Sequence, residues 1–151
     1  PDNDSSSGQG AGDILEDITE TVKRVLGMPG WYGLALVDAE EEEYDRVAGL
    51  VENVEKIFAF CTKKKKNPLG GKGYMRTFGV YSEDGYVHIA WMAKNFTFAP
   101  GSATWAYKLL SGVEPSGLSS REMRLLEDEG LNYYVACAGS NITRNGKVVG
   151  G

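Results

Sequence analysis

The sequence has few of the side chains that bind metals or attack substrates. It contains a single histidine, His88, and two cysteines, Cys61 and Cys137, among 151 residues. These three residues lie far apart in the chain and lack the spacing of a zinc site. Each cysteine lies in an apolar, strand-like run, which predicts a buried reduced thiol, although a disulfide between the two stays open. No potential catalytic partner is placed beside His88, so we interpret it as an ordinary packed or surface histidine.

Long apolar runs are also missing. No stretch approaches the roughly 18 apolar residues of a membrane span, and the polar, acidic N-terminus is unlike a signal peptide. Residues 1–12 are rich in glycine, serine and aspartate, which predicts a flexible linker. The remaining residues, 13–151, suffice for one domain with a core. Because the chain begins at Pro1 and ends at Gly151 within a strand-like pattern, we expect a fragment truncated at both ends.

The sequence has no phosphate-binding loop, although one stretch resembles it. A Walker A motif needs Ser or Thr after its lysine, and Gly73 follows Lys72 here. The first glycine of the motif is also missing, since Lys66 occupies that position. We therefore predict a solvent-exposed basic loop over 63–73. With no acid, base and nucleophile in register, the sequence predicts no catalytic residue, no metal site and no cofactor, and thus no enzyme.

Charge is divided unevenly along the chain. The net charge is −5, but residues 1–62 carry 14 acidic and 4 basic side chains, whereas residues 63–151 carry 7 acidic and 12 basic ones. An acidic protein is a poor nucleic-acid binder, so we expect no nucleic acid as partner. Two solvated faces of opposite sign explain the asymmetry most simply. A second interpretation is that the acidic face of one copy contacts the basic face of the next.

Apolar periodicity and capping patterns predict four helices. The first begins at Asp13 and ends at Gly27. The second is capped by Asp38, and the consecutive acids Glu40, Glu41, Glu42 and Glu43 fan around its first turn, which favours a solvated turn over a cation site. Its buried stripe is Tyr44, Val47, Ala48 and Val51. The third runs from Asp84 to Lys94, in preference to a hairpin at Asp84 and Gly85. The fourth runs from Ser119 to Glu129.

Apolar runs bounded by turn signals predict strands over 31–37, 56–61 and 133–138, and a loose alternation predicts a strand over 76–82. The first two strands flank the second helix and form a β-α-β unit, which implies parallel pairing. Residues 104–110 are predicted to be extended. Residues 142–149 predict a hairpin with Asn145 and Gly146 at its turn. The predicted fold class is α/β, with a mixed, partly parallel sheet flanked by helices and a C-terminal β-hairpin that is cut short.

The second half of the chain resembles the tail sheath proteins of contractile bacteriophages and prophages. The resemblance rests on four stretches in order: RTFGVY, YVHIAWMAK, PGSATWAYKLLSGVEP and LNYYVACAGSNITRNGKVVGG. The third stretch, with Pro100, Gly101, Trp105, Lys108 and Gly112, is the most telling. The first half fits the same α/β core, so the resemblance covers about residues 13–151.

This resemblance implies a structural role. Sheath subunits form a helical tube around an inner tail tube and contract to drive that tube through the host envelope. The implied partners are other copies of the sheath protein, the inner tail tube and the baseplate, without nucleic acid or membrane insertion. The implied location is the virion tail, assembled in the cytoplasm of the bacterial host. A fragment without its terminal arms can remain monomeric.

The candidate contact residues follow from this reading. We expect Trp91 and Trp105 to be core or interface anchors. The acidic helix over 40–54, with Glu41 and Glu42, and the basic run Lys63, Lys64, Lys65 and Lys66 are candidate contacts between copies. Two alternatives stay open: an α/β ligand- or nucleotide-binding domain with Asp38 and Thr62 near its site, and a module that binds a host or virion partner through loop 63–73.

Overall fold

The structure is a computed structural model that describes residues 17–99, 102–137 and 139–144. The helices in these ranges are α1 (Ile18–Leu26), α2 (Glu41–Val51), α3 (Val87–Asn95) and α4 (Ser120–Asp128). The strands are β1 (Gly33–Ala35), β2 (Ile57–Thr62), β3 (Thr77–Tyr81), β4 (Asn132–Cys137) and β5 (Ser140–Arg144). The predicted linker over 1–12, the helix start at Asp13 and the turn at Asn145 and Gly146 lie outside the described residues.

One five-stranded sheet organises the fold, with its strands in the order β1-β2-β3-β4-β5. The first four strands are parallel, and β5 pairs antiparallel with β4. The predicted α/β class, with a mixed and mostly parallel sheet between helices, is therefore confirmed. The central strand β3, TFGVY, is buried along its whole length, because both faces of the sheet are covered there, although its sequence alternates loosely.

Three helices cover one face of the sheet, which we call the helical face. Helices α2 and α4 pack there on the alternate strand residues Phe58, Phe60, Tyr133 and Val135, and α1 packs on α2. The predicted stripe of α2 is confirmed, because its four members are all buried: Tyr44, Val47, Ala48 and Val51. In α4, the Ser119 hydroxyl accepts from Glu122 N and the Glu122 carboxylate accepts from Ser119 N, as the capping box predicted.

The opposite face, which we call the aromatic face, is covered by α3 and by residues 96–99 and 102–113, which we call the aromatic segment. Its core consists of side chains from β2, β3 and β4 together with Val87, Trp91 and Met92 of α3 and Leu110 of the segment. Phe78 on β3 contacts both tryptophans edge to face, with centroids 6.2 Å from Trp91 and 5.1 Å from Trp105. This arrangement of rings explains why the segment needs no regular structure to bury apolar surface.

Several predicted elements differ from the structure. The strand predicted over 31–37 is reduced to Gly33–Ala35, and it is half-buried because it forms the edge of the sheet. Asp38 is not the cap of α2: its φ of 55° is left-handed, and Glu40 is the N-cap. Helix α3 is confirmed over the alternative hairpin, but it begins at Val87 because the Asp84 carboxylate bonds Tyr86 N in a turn before it.

The C-terminal part also differs from its prediction. Residues 104–110 form bends rather than an extended strand, and Tyr107 has a φ of 60°. The observed hairpin joins β4 to β5, and residues 142–144, predicted as the first strand of the C-terminal hairpin, belong to β5. Tyr107 N donates to Thr143 O at 2.8 Å and Thr143 N donates to Lys108 O at 2.9 Å, which covers the outer edge of β5.

Candidate functional site

A cleft of about 370 Å³ lies where β1 and β2 end. We call it the carboxyl-end cleft. The turn after β1 contributes Asp38, the end of β2 contributes Thr62 and Lys63, and the first turn of α2 contributes Glu41 and Glu42. Parallel strands bring their carboxyl ends to one edge of the sheet, which is where α/β folds most often bind ligands. The acidic and basic residues that the sequence separates therefore meet in one place.

The charges of this cleft are partly neutralised within the chain. Lys64 Nζ lies 2.7 Å from Glu41 Oε1, and this hydrogen bond raises the pKa of Lys64. The Glu43 carboxylate accepts from Glu40 N at 2.7 Å and so closes the first turn of α2. Within residues 17–99, 102–137 and 139–144, neither Glu42 nor Lys63 makes an ion pair. The cleft thus keeps an excess of negative charge that faces solvent.

The cleft holds one thiol, which is not activated. Burial is the main cause that raises the pKa of Cys61 to about 12, so the thiol stays protonated near neutral pH and is a poor nucleophile. Tyr44 donates its hydroxyl to Cys61 O at 3.1 Å, and burial raises the pKa of Tyr44 as well. The described part of the chain contains no group of three or more His, Cys, Asp or Glu side chains that could hold a metal ion.

Loop 63–73 forms ion pairs and a hydrogen bond with other parts of its own chain. Lys65 Nζ lies 2.7 Å from Glu122 Oε1 on α4, and Lys72 Nζ lies 3.3 Å from Asp45 Oδ2 on α2. Asn67 N donates to the Glu129 carboxylate at 2.9 Å. Of the four consecutive lysines, Lys63 and Lys66 make no ion pair with any residue that the structure describes. Two of the four lysines predicted to contact another copy, Lys64 and Lys65, therefore form ion pairs within their own chain.

The two candidate tryptophans have different environments. Trp91 is fully buried, and its Nε1 donates to Trp105 O at 2.8 Å. Trp105 is only partly buried, and its ring contacts Phe96 at a centroid distance of 6.0 Å. Trp91 is therefore a core residue of the aromatic face, whereas Trp105 reaches the surface and remains a candidate contact residue.

A second concave surface lies at the amino ends of the same two strands. This aromatic groove, of about 350 Å³, is lined by Tyr32 before β1, by Ile57 of β2, and by Phe96, Phe98 and Trp105. Tyr32, Phe96 and Phe98 each expose more than two-fifths of their surface. Sequence reasoning missed the groove, although the paired aromatics of Phe96-Thr97-Phe98 just after a helix were a usable signal.

His88 is buried in the first turn of α3 and touches neither concave surface. Its Nε2 lies 2.8 Å from Leu36 O, so Nε2 is the donor and Nδ1 carries the free lone pair. Nδ1 is buried without a partner among the described residues, and burial lowers the pKa of His88. The residue is a neutral packed histidine that ties α3 to the end of β1.

Comparisons with protein-family models, with curated proteins and with solved structures found no match. Within the described ranges, no helix is long and apolar enough to cross a membrane. The function must therefore be argued from the residues and surfaces of this chain.

Proposed function

We propose that this chain is the α/β core of a structural subunit that assembles with copies of itself, as a contractile tail sheath protein does. The observation that carries this proposal is the exposed apolar surface on and around the aromatic segment. Of the eleven large hydrophobic side chains that are exposed in the described ranges, five lie between residues 89 and 109: Ile89, Phe96, Phe98, Tyr107 and Leu109.

Such a concentration of apolar side chains favours assembly over an isolated monomer. Exposed apolar residues that are scattered need no explanation, but Tyr32, Phe96 and Phe98 line one groove, and such a group is typical of a contact surface. The same stretch also holds the motif with Trp105, Lys108 and Gly112 on which the resemblance to sheath proteins rests. Sequence resemblance and exposed surface thus point to the same residues.

Negative-stain electron microscopy of the protein expressed from its complete open reading frame tests this proposal. We expect tubes or rings with six-fold symmetry, as a sheath subunit would form. Discrete single particles at high concentration, in both low and high salt, would contradict it.

A ligand-binding domain is the second candidate, and one observation favours it. Asp38 and Thr62, the two residues expected near such a site, both line the carboxyl-end cleft. Thermal-shift measurements with nucleotides and with small metabolites test this candidate. A stabilisation that depends on ligand concentration and is lost in Thr62→Val would support it, whereas no shift with any ligand would count against it.

A further inference from the structure

The two ends of strands β1 and β2 carry opposite charge. At their carboxyl ends, Asp38 and residues 40–43 contribute five carboxylates, which two lysines, Lys63 and Lys64, offset in part. At their amino ends, three lysines accompany the aromatic groove: Lys56 directly precedes β2, Lys94 lies in the last turn of α3, and Lys108 lies in the aromatic segment. Glu55 is the acidic residue next to Lys56.

Two of the three lysines at the groove, Lys56 and Lys108, lie against aromatic rings rather than carboxylates. Lys108 Nζ lies 4.6 Å from the centroid of the Phe98 ring, and Lys56 Nζ lies 3.8 Å from the centroid of Trp31. In the part of the chain that the structure describes, Lys56, Lys94 and Lys108 make no ion pair. An acidic surface could therefore approach them without breaking an existing salt bridge.

The carboxyl ends of the strands carry apolar surface as well as acidic charge. Val37 follows β1 and is 40% exposed, and Tyr86 precedes α3 and is 55% exposed. Both lie next to acidic residues, Asp38 in the first case and Asp84 in the second. This end of the molecule thus offers apolar and acidic groups, and the groove offers apolar and basic ones.

We propose that copies of this chain stack head to tail, with the acidic end of one copy seated on the aromatic groove of the next. This inference rests on the proposed function and names the surfaces that the assembly uses. The complementarity is twofold, apolar with apolar and acidic with basic, which favours one orientation over its alternatives. Because the two surfaces differ, the contact is heterologous and extends in a row rather than closing as a dimer.

The acidic end is thus proposed to contact the groove, and not loop 63–73 as expected from sequence. Glu41 of the acidic helix and Lys64 of the basic loop lie at the same end of the molecule and pair with each other. Lys65 and Lys72 also pair with acidic residues of their own chain. The basic partner of the acidic end is therefore the group of lysines at the groove, at the opposite end of β1 and β2.

Charge reversal with mixing tests the proposal by sedimentation of the 151-residue chain in low salt. One variant, Lys94→Glu with Lys108→Glu, makes both ends acidic. The other, Glu41→Lys with Glu42→Lys, makes the acidic end basic, so that both ends are then basic. We expect each variant alone to associate at least about tenfold more weakly than the wild type, because like charges then meet. An equimolar mixture of the two should recover association, since each acidic end again finds a basic one.

The matched control is Arg121→Glu with Arg124→Glu, which reverses two exposed basic residues of α4 that belong to neither proposed surface. This control should associate within about twofold of the wild type. Loss of association in the control but not in Lys94→Glu with Lys108→Glu would overturn the proposal. So would failure of the mixture to recover, or absence of wild-type association up to about 1 mM. The proposed function would survive any of these if the full-length protein still forms tubes, and it would fall only if that protein stays monomeric.

Discussion

The helical face and the aromatic face of the sheet bury similar strand residues under very different covers. On the helical face, three helices present regular apolar stripes, and α1 and α4 begin at side-chain caps, Asp17 and Ser119. On the aromatic face, a single helix without a side-chain cap lies beside an irregular segment. Regular helices cover apolar strands with polar outer surfaces, whereas the irregular cover leaves large apolar side chains in solvent.

This difference separates two requirements, the stability of the chain and its contact with other copies. The helical face contributes to stability, because the apolar side chains of its core are buried within the chain. The aromatic face has a buried inner layer around Trp91 and an outer layer of apolar side chains that are exposed to solvent. If this distinction holds, substitutions in the two inner layers should cost similar free energy, and substitutions in the outer layer should cost little.

The largest expected effect is that of Trp91→Ala. Trp91 is fully buried, and its loss leaves a cavity and removes the hydrogen bond to Trp105 O. We expect the free energy of unfolding in urea to fall by about 3–5 kcal/mol, as for large-to-small changes in other cores. Phe58→Ala is the matched variant on the helical face and should cost a similar amount. A loss below about 1 kcal/mol for Trp91→Ala would mean that the aromatic face has no true inner layer.

Two glycine substitutions compare how readily the neighbouring aromatic rings on the two faces of the sheet can move. A Cβ at Gly79 would overlap the ring of Phe60, which is buried on the helical face, whereas a Cβ at Gly33 would overlap the ring of Phe96, which is 41% exposed. We expect Gly79→Ala to lower the free energy of unfolding by about 1–3 kcal/mol. Gly33→Ala should cost less, because the half-exposed ring can move aside. Equal costs in thermal or urea unfolding would contradict the distinction between the layers.

Acid should weaken the aromatic face through His88. Its pKa is lowered by burial, so the folded state resists protonation while the unfolded state takes up a proton near pH 6.5. Stability is therefore fully present above about pH 6.5 and declines as the pH falls, with a slope of at most about 1.4 kcal/mol per pH unit. Urea unfolding between pH 7 and pH 5 measures this slope, which His88→Gln should remove.

The carboxylates with lowered pKa do not interfere in that range. A hydrogen bond from Lys65 is the main cause that lowers the pKa of Glu122 to about 2. The contribution of Glu122 to the free energy of unfolding is lost only as the pH falls from about 4.5 toward about 2. An unchanged slope in His88→Gln would therefore mean that another group titrates between pH 7 and pH 5.

The smallest expected effects concern the helix caps. Ser119→Ala removes the side-chain cap of α4 and should lower the free energy of unfolding by about 1 kcal/mol. Tyr86→Ser supplies a capping hydroxyl to α3, which lacks one, and should stabilise the protein by several tenths of a kcal/mol. Thermal unfolding of both variants checks the signs. Destabilisation by Tyr86→Ser would indicate that the exposed Tyr86 ring contributes to packing.

The sequence predicted the helical face better than the aromatic face, for a physical reason. The stripe of α2 and the capping box of α4 are local patterns that repeat with the period of a helix, and both are confirmed. The strand class followed from unbroken apolar runs, as in β2. The length of β1 could not be predicted, because its position at the edge of the sheet is set by pairing and not by its own residues.

The surfaces were harder to predict than the elements. Loop 63–73 looked like a free basic surface because its ion pairs to Asp45 and Glu122 join residues that are distant in sequence. The bends of the aromatic segment depend on contacts with β3 and on the left-handed backbone of Tyr107, which no local pattern signals. The grouping of Glu41 with Lys64 likewise depends on the parallel pairing of β1 and β2.

The hydrogen bonds at Thr143 have a consequence for the order of folding. They join the aromatic segment to the last strand, across 35 positions in the case of Lys108 N and Thr143 Oγ1. Closing a loop of that length costs about 3 kcal/mol of chain entropy, which local contacts cannot offset in advance. The parallel pairing of Val80 with Asn132 closes a still longer loop, so we expect segment and hairpin to dock in the same late step in which β4 joins the sheet. The apolar surface proposed for assembly is completed in this late step, so newly made chains present it only when their sheet is already in place.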